Sequence, residues 1–529
     1  MRFPAALLVI AVLGMVTLHG VELPAITVYP RPAVAGLESE LRLPHDLGGE
    51  FQGTLRIIAP DGTQEEHPVK LVDGGVAFFR WRPRITGYHQ LELKGDGFAT
   101  AKVTVPVVWR RMHFYSWVVP TELEQLASYP TLGSTGIIIK GNEAKYEQCR
   151  RLGIVPLAFV GHRERSNIPL TKPAEEVVQA LVSHWRKGLD EGADGIWVDE
   201  IGAYPNEEAL RRLAIIREVL KQLRSAYPKA ILQIAVAGNM LREQAAIAHE
   251  TGAILASEAY PDCAAGIFGT HDFIPNINAR LDCLRGVDML FERGYTANPS
   301  PATFKQSGGI LLLGLNNCFG VLEEPAAPRL EYLVRHIRKY APEAPGLAFW
   351  SSGGDRSYSE QFLPYSLLDS LLERYCVRPV LDLQMVAFSD YAPKAGAPVE
   401  IGLEVHNLGG MALHTPYKVK AFAVDSDGKR LALGEVTRPR IGIGFAAPAL
   451  PQNAKGVQRL EIDGNVYQIS NYTKGKSLKA LMLSRQTLLF HFTPPKSGYY
   501  KIMFELDAPD EATVMNGTAE ATLRVRRAE

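Results

Sequence analysis

Eight short apolar runs, separated by turns and by stretches with helical periodicity, occupy the middle of this chain, and neither end shows that alternation. The runs are HFYSWVV (113–119), GIIIK (136–140), VPLAFV (155–160), GIWVD (195–199), ILQIAVA (231–237), AILASE (253–258), ILLLGL (310–315) and GLAFW (346–350). Apolar residues without polar alternation mark strands covered on both faces, the condition of parallel strands shielded by helices. Helical partners are clearest at 174–190, where Val177, Val178, Leu181, Trp185 and Leu189 form a stripe behind Pro173. At 207–224 the stripe is Leu210, Leu213, Ile216, Leu220 and Leu223, with Asn206 as N-cap and Glu207 and Glu208 complementing the helix dipole. Eight such units predict a (β/α)8 barrel. An open doubly wound sheet would carry a glycine-rich phosphate loop after its first strand, where Trp117-Val118-Val119-Pro120 stands. The seventh run, within Ser307–Phe319, reads equally as a buried helix segment.

The flanks alternate apolar and polar residues between turn signals, an all-β pattern. They share a motif: Phe79-x-Trp81-x-Pro83-x-x-Thr86-Gly87-Tyr88-x-x-Leu91 reappears as Phe490-x-Phe492-x-Pro494-x-x-Ser497-Gly498-Tyr499-x-x-Ile502. A strand of alternating aromatics, a Pro that ends it, a Gly turn and a new strand describe a corner between two sheets. The motif resembles the immunoglobulin-like modules that flank many secreted carbohydrate-active enzymes. The fold class expected is therefore multidomain, α/β plus all-β. Its parts are a leader at 1–20, a β-sandwich at 21–110, a (β/α)8 TIM barrel at 111–376 and an immunoglobulin-like β-sandwich at 377–529. Asp425-Ser426-Asp427-Gly428 is read as a turn, because Gly434 stands where a calcium loop needs an acid.

The first twenty residues combine Arg2, an apolar stretch at 5–17 and Leu18-His19-Gly20, the pattern of a secretory signal, so the protein is expected to be secreted or periplasmic. That stretch is shorter than the roughly 20 apolar residues of a membrane span, and no membrane anchor is expected. Lys plus Arg and Asp plus Glu are both 57. A balanced chain has no basic field for nucleic acid, so neither nucleic acid nor membrane is an expected partner. Five cysteines without C-x-x-C spacing read as buried thiols, and no metal or cofactor is expected. Oligomeric state is not legible.

In a barrel of this kind the chemistry lies where the strands end. Those ends hold Tyr115 and Trp117, Lys140 with Asn142, His162 with Arg163, Asp199 with Glu200, Asn239, Glu258 with Tyr260, Asn316 and Trp350. Aromatic faces stack on sugar rings, and carboxylates, amides and basic groups bind hydroxyls, so the set reads as a saccharide pocket. Glycosidic hydrolysis needs two carboxyl groups, one protonated and one ionised. The expected catalytic set is Glu200 as general acid, Glu258 as nucleophile or base, and Asp199 orienting or replacing one of them. Alternation leaves Asp199 and Glu200 undecided, since only one of two neighbours on a strand faces the barrel. For any single carboxylate, a helix cap or an ion pair is the competing structural role.

These residues resemble the secreted TIM-barrel glycoside hydrolases. In the large clan that uses two glutamates, a short polar residue precedes the acid ending strand four and a Trp closes strand eight, as Asp199-Glu200 and Trp350 do here. That clan's nucleophile is a Glu ending strand seven, and this chain has Leu315-Asn316-Asn317-Cys318. The chitinase-like pattern D-G-x-D-x-D-x-E is also broken, by Trp197 and Ile201. The resemblance implies hydrolysis of a poly- or oligosaccharide. The alternatives are a carbohydrate-binding or scaffold protein with a degenerate barrel, and a non-glycosidic hydrolase, for which no G-x-S-x-G elbow or metal-helix motif is present.

Overall fold

A computed structural model describes residues 16–18, 21–23, 26–43, 51–71, 77–95, 100–117, 135–161, 168–199, 201, 207–236, 242–259, 277–278, 280–281, 284, 289–290, 296–297, 310–314, 326–342, 344–350, 370–443, 458–462, 465–469 and 484–528. All eight central runs are strands: β1 (His113–Trp117), β2 (Gly136–Ile139), β3 (Val155–Phe159), β4 (Gly195–Val198), β5 (Ile231–Val236), β6 (Ile254–Ala259), β7 (Ile310–Gly314) and β8 (Gly346–Trp350). The run at 310–315 is thus a strand, not a helix. The eight pair in parallel in chain order, and β8 returns to β1, closing a barrel. Followed from strand to strand, the register comes back to β1 displaced by eight residues.

Among the described residues, helices follow five of the strands: α1 (Glu143–Arg151) after β2, α2 (Ala174–Asp190) after β3, α3 (Glu207–Ala226) after β4, α4 (Arg242–Thr251) after β5 and α5 (Ala326–Tyr340) after β7. The whole predicted stripe of α2 is buried. In α3 the buried face is Ala209, Leu213, Ile216, Leu220 and Leu223, while Leu210 is 41% exposed. The stripe there begins one position earlier than expected. Among the described residues no helix is long and apolar enough to cross a membrane.

Before the barrel, a five-stranded sheet and a three-stranded sheet face one core that includes Leu41, Leu55, Trp81, Leu91 and Val107. After it, two four-stranded sheets enclose Leu403, Tyr417, Phe490, Ile502 and Phe504. The shared motif is where the chain changes sheets in both halves. Ala77–Trp81 and Gly87–Gly95 lie in different sheets, as do Arg485–Phe492 and Gly498–Asp507. Gly87 and Gly498 take φ of 129° and 136°, which side chains with a Cβ rarely adopt. The buried ring after the second turn is Tyr500, not Tyr499, which is exposed; the Tyr500 hydroxyl donates to Lys496 O at 3.1 Å. The Asp425–Gly428 segment is the expected turn, with Asp425 Oδ1 accepting from the backbone N–H of Asp427 and Lys429.

Both flanks touch the barrel. Thr27 Oγ1 donates to Arg151 O at 2.7 Å and Arg31 N–H to Gly153 O at 3.1 Å, while Arg335 donates to Met515 O at 2.7 Å. The core between barrel and helices runs on into Val34 and Val108 on one side and Leu408, Met411 and Met515 on the other. Cys149 and Cys376 are buried free thiols whose pKa burial pushes up to about 12 and about 11. Groups so raised are inert as nucleophiles.

Candidate functional site

Strand alternation and packing settle which residues face the barrel axis. Tyr115, Ile138, Val155, Leu157, Trp197, Ile231, Ala235, Ile254, Ala256 and Ala348 form one inner cluster. Their strand neighbours Phe114, Ile137, Ile139, Ala158, Ile196, Val198, Leu232, Ile234, Leu255 and Leu347 belong to the cluster shared with the helices. Because the register slips by about one residue's height per strand, inward positions stack in layers of four drawn from alternate strands. From the amino end upward, the even strands place Gly136, Gly195, Ile254 and Gly346 in one layer and Ile138, Trp197, Ala256 and Ala348 in a second; two residues further along the same strands come Lys140, Asp199, Glu258 and Trp350, with the side chains of Glu258 and Trp350 outside the described residues. Between these, the odd strands place Tyr115, Leu157 and Gln233, and then Phe159 and Ala235; the side chains of β7 and of Trp117 lie outside the described residues.

The glycines of the lowest layer are imposed by packing. A Cβ on Gly136 would lie 2.3 Å from the Tyr115 ring, and one on Gly195 or Gly346 would lie 2.1 Å from the carbonyl oxygen of Ile231 or His113. Tyr115 fills the space so made. Its hydroxyl lies 2.9 Å from His113 Nδ1, and both side chains are buried. Burial raises the phenol pKa and lowers that of His113 to about 3, so both are neutral at pH 7. Tyr115, expected to meet substrate, packs near the amino end of the barrel, because inward residues two apart on one strand lie in different layers.

Of the remaining candidates, Trp117, Lys140, Asp199, Glu258 and Trp350 lie at or just past the carboxyl ends of their strands. Asp199 continues the inward series of Gly195 and Trp197 and is 3% exposed. The segment after β4 is held from both sides. Val160 N–H donates to Trp197 O at 3.1 Å, Asp199 N–H to Gly161 O at 3.4 Å, and Ile201 N–H to Ala235 O at 2.9 Å. From α4 the buried Gln244 adds Nε2 to Ile201 O at 2.6 Å. The end of β3 is held in turn by His184 of α2, whose Nε2 lies 2.9 Å from Val160 O. Glu258 lies in β6 two residues beyond Ala256, opposite Leu312 of β7. Trp117 of β1 pairs with Trp350 of β8 in the register. Lys140 is exposed just past β2, its Nζ 5.4 Å from the centre of the Phe159 ring.

Asn142 plays a structural part, as the N-cap of α1, where its side chain accepts from Lys145 N–H at 3.1 Å. Glu200, His162, Arg163, Asn239, Tyr260 and Asn316 lie outside the described residues. Gln233, on β5, is a further polar residue buried inside the barrel. It is the single polar residue in the apolar run ILQIAVA, and that interruption was the available signal.

The described residues thus form a closed parallel barrel with Asp199 just past the end of β4 and Glu258 near the carboxyl end of β6, and with antiparallel sheets before and after it. No protein-family model matches the chain, and no curated protein matches it significantly. Among solved structures it is similar to a β-glucuronidase from Bacteroides uniformis, at 12% identity and a TM-score of 0.35, over 96% of this chain and 62% of that one. It is similar to a family 39 glycoside hydrolase from Bacteroides cellulosilyticus WH2, at 12% identity and TM-score 0.35, over 88% of this chain and 100% of that one. A cycloisomaltooligosaccharide glucanotransferase from Paenibacillus matches at 10% identity and TM-score 0.32, over 95% of this chain and 72% of that one. The chain spans 62% of the length of the β-glucuronidases it matches.

Proposed function

We propose that this protein is a glycoside hydrolase acting on a poly- or oligosaccharide, with a (β/α)8 barrel at 111–376 as its catalytic domain. In this reading the modules at 21–110 and 377–529 are supporting β-sandwiches, and the leader directs the protein out of the cytoplasm. The observation that supports the reading is that Asp199 follows the last paired residue of β4 and Glu258 lies near the carboxyl end of β6, on strands separated only by β5.

Two carboxyl groups on different staves are what the reaction requires. A carboxyl group from the end of β4 protonates the glycosidic oxygen as its bond to the anomeric carbon breaks. Glu258 attacks that carbon or takes a proton from the water that does; the water's hydroxyl ends on the sugar and the proton on the leaving oxygen. Of the β4 pair, Asp199 takes precedence over Glu200 because it follows Trp197 on the inward face. Lys140, Trp117 and Trp350 serve the sugar as hydroxyl and ring contacts. The reaction calls on side chains alone, with no cofactor.

A second reading, a carbohydrate-binding protein without turnover, is favoured by one observation: β7 ends in Gly314, with no acid at the stave where the two-glutamate clan keeps its nucleophile. A panel of polysaccharides separates the two. Release of reducing ends supports the hydrolase, and retention on a glycan without release supports the binding protein.

A further inference from the structure

Gln233 is fully buried on the inward face of β5, between Ile231 and Ala235, with Trp197 and Ile254 beside it on the neighbouring strands. Neither its Oε1 nor its Nε2 has a hydrogen-bond partner among the described residues. A primary amide offers two donors and two acceptor sites, and buried groups of that kind are kept in natural cores with a partner. The ligand that satisfies both ends of an amide inside a barrel is water. The residues above Gln233 on this side are small: Ala235 on its own strand and Ala256 on β6, in layers where Phe159 and Trp197 stand on β3 and β4. Two residues beyond Ala256 is Glu258.

We propose that Gln233 binds buried water on the β5–β6 side of the barrel, below the carboxyl ends of β4 and β6, and that through this water it acts as a positioning residue for Glu258. The second half rests on the hydrolase reading; the first does not. An amide can donate to one water and accept from another without titrating, so it orders a short column of water whatever the charge of the carboxylate above. That ordering fixes the direction from which the carboxylate receives a hydrogen bond.

A crystal structure of the full chain that resolves ordered water tests the site directly. Water within about 3 Å of both amide atoms is expected, and a dry amide overturns the proposal. Gln233→Met keeps the length of the side chain and removes its hydrogen bonds. It is expected to lower kcat by about tenfold, a part of what general acid–base groups contribute, at unchanged KM. An unchanged kcat, or a fall traced wholly to KM, overturns the positioning role, and should the variant not fold, the wild-type density decides. Ordered water in a wild type that cleaves no glycan would defeat the hydrolase reading alone, whereas a dry amide in an active enzyme would defeat this inference alone.

Discussion

Asp199, one residue past the end of β4, and Glu258 of β6 both lie toward the carboxyl ends of their strands, and one strand, β5, separates them. The inward series that carries them begins in a layer of three glycines. The mouth and the base of the barrel are therefore consequences of one register, and each yields a prediction.

At the base, Gly195→Ala and Gly346→Ala each drive a methyl group to 2.1 Å from a carbonyl oxygen of the next strand. Backbone cannot yield there as a flexible side chain would, so each is expected to cost about 3 kcal/mol or more or to abolish folding. Gly396→Ala is the control. With φ at +80° and open space around it, that change costs only backbone strain, about 1 kcal/mol. Urea unfolding curves rank the three.

The buried His113 makes stability depend on pH. Its folded pKa of about 3 lies below the ordinary value of 6.5. Between those values the unfolded chain binds a proton that the folded protein does not, so its contribution weakens as pH falls from 6.5 toward 3. The slope is at most about 1.4 kcal/mol per pH unit. His113→Gln is expected to flatten the curve by that amount over this window, and identical curves for the two proteins would count against a neutral buried imidazole.

Tyr115→Phe leaves His113 Nδ1 without its partner at 2.9 Å and is expected to destabilise by about 1–3 kcal/mol. A change of KM for any glycan at unchanged stability would instead return Tyr115 to the pocket.

Asn142→Ala removes the cap of α1 and is expected to cost about 1 kcal/mol, with Asn142→Asp restoring most of it. Thermal unfolding of the three proteins is sufficient to check it. Gln244→Leu leaves the Ile201 carbonyl unsatisfied and frees the segment after Asp199. The expected signature is a loss of about 1–3 kcal/mol in stability together with a fall in kcat larger than any change in KM.

The sequence made the staves legible because a strand covered on both faces has no polar alternation. Runs such as GLAFW and ILLLGL locate β8 and β7 to within a residue. The stripe of α2 was legible for the same reason, since Val177, Leu181 and Trp185 recur at helical spacing. The height of a residue in the barrel was not. It depends on the register between strands far apart in the chain, and HFYSWVV looks the same whether Tyr115 lies at the mouth or near the base. Nor was it legible that Trp197 faces inward while Ile196 and Val198 face the helices, the fact that favours Asp199 over Glu200 in the proposed mechanism. The cap role of Asn142 was not legible because a polar residue after a strand serves a helix N-terminus and a substrate equally well, and the hydrogen bond from Lys145 shows the first of these.

The most direct test of the carboxylate pair compares kcat for reducing-sugar release by the wild type, Glu258→Gln and Asp199→Asn on a glycan the wild type cleaves. The account predicts that each amide loses about 100-fold or more while unfolding and glycan binding stay near wild type. Full activity in Glu258→Gln would contradict it.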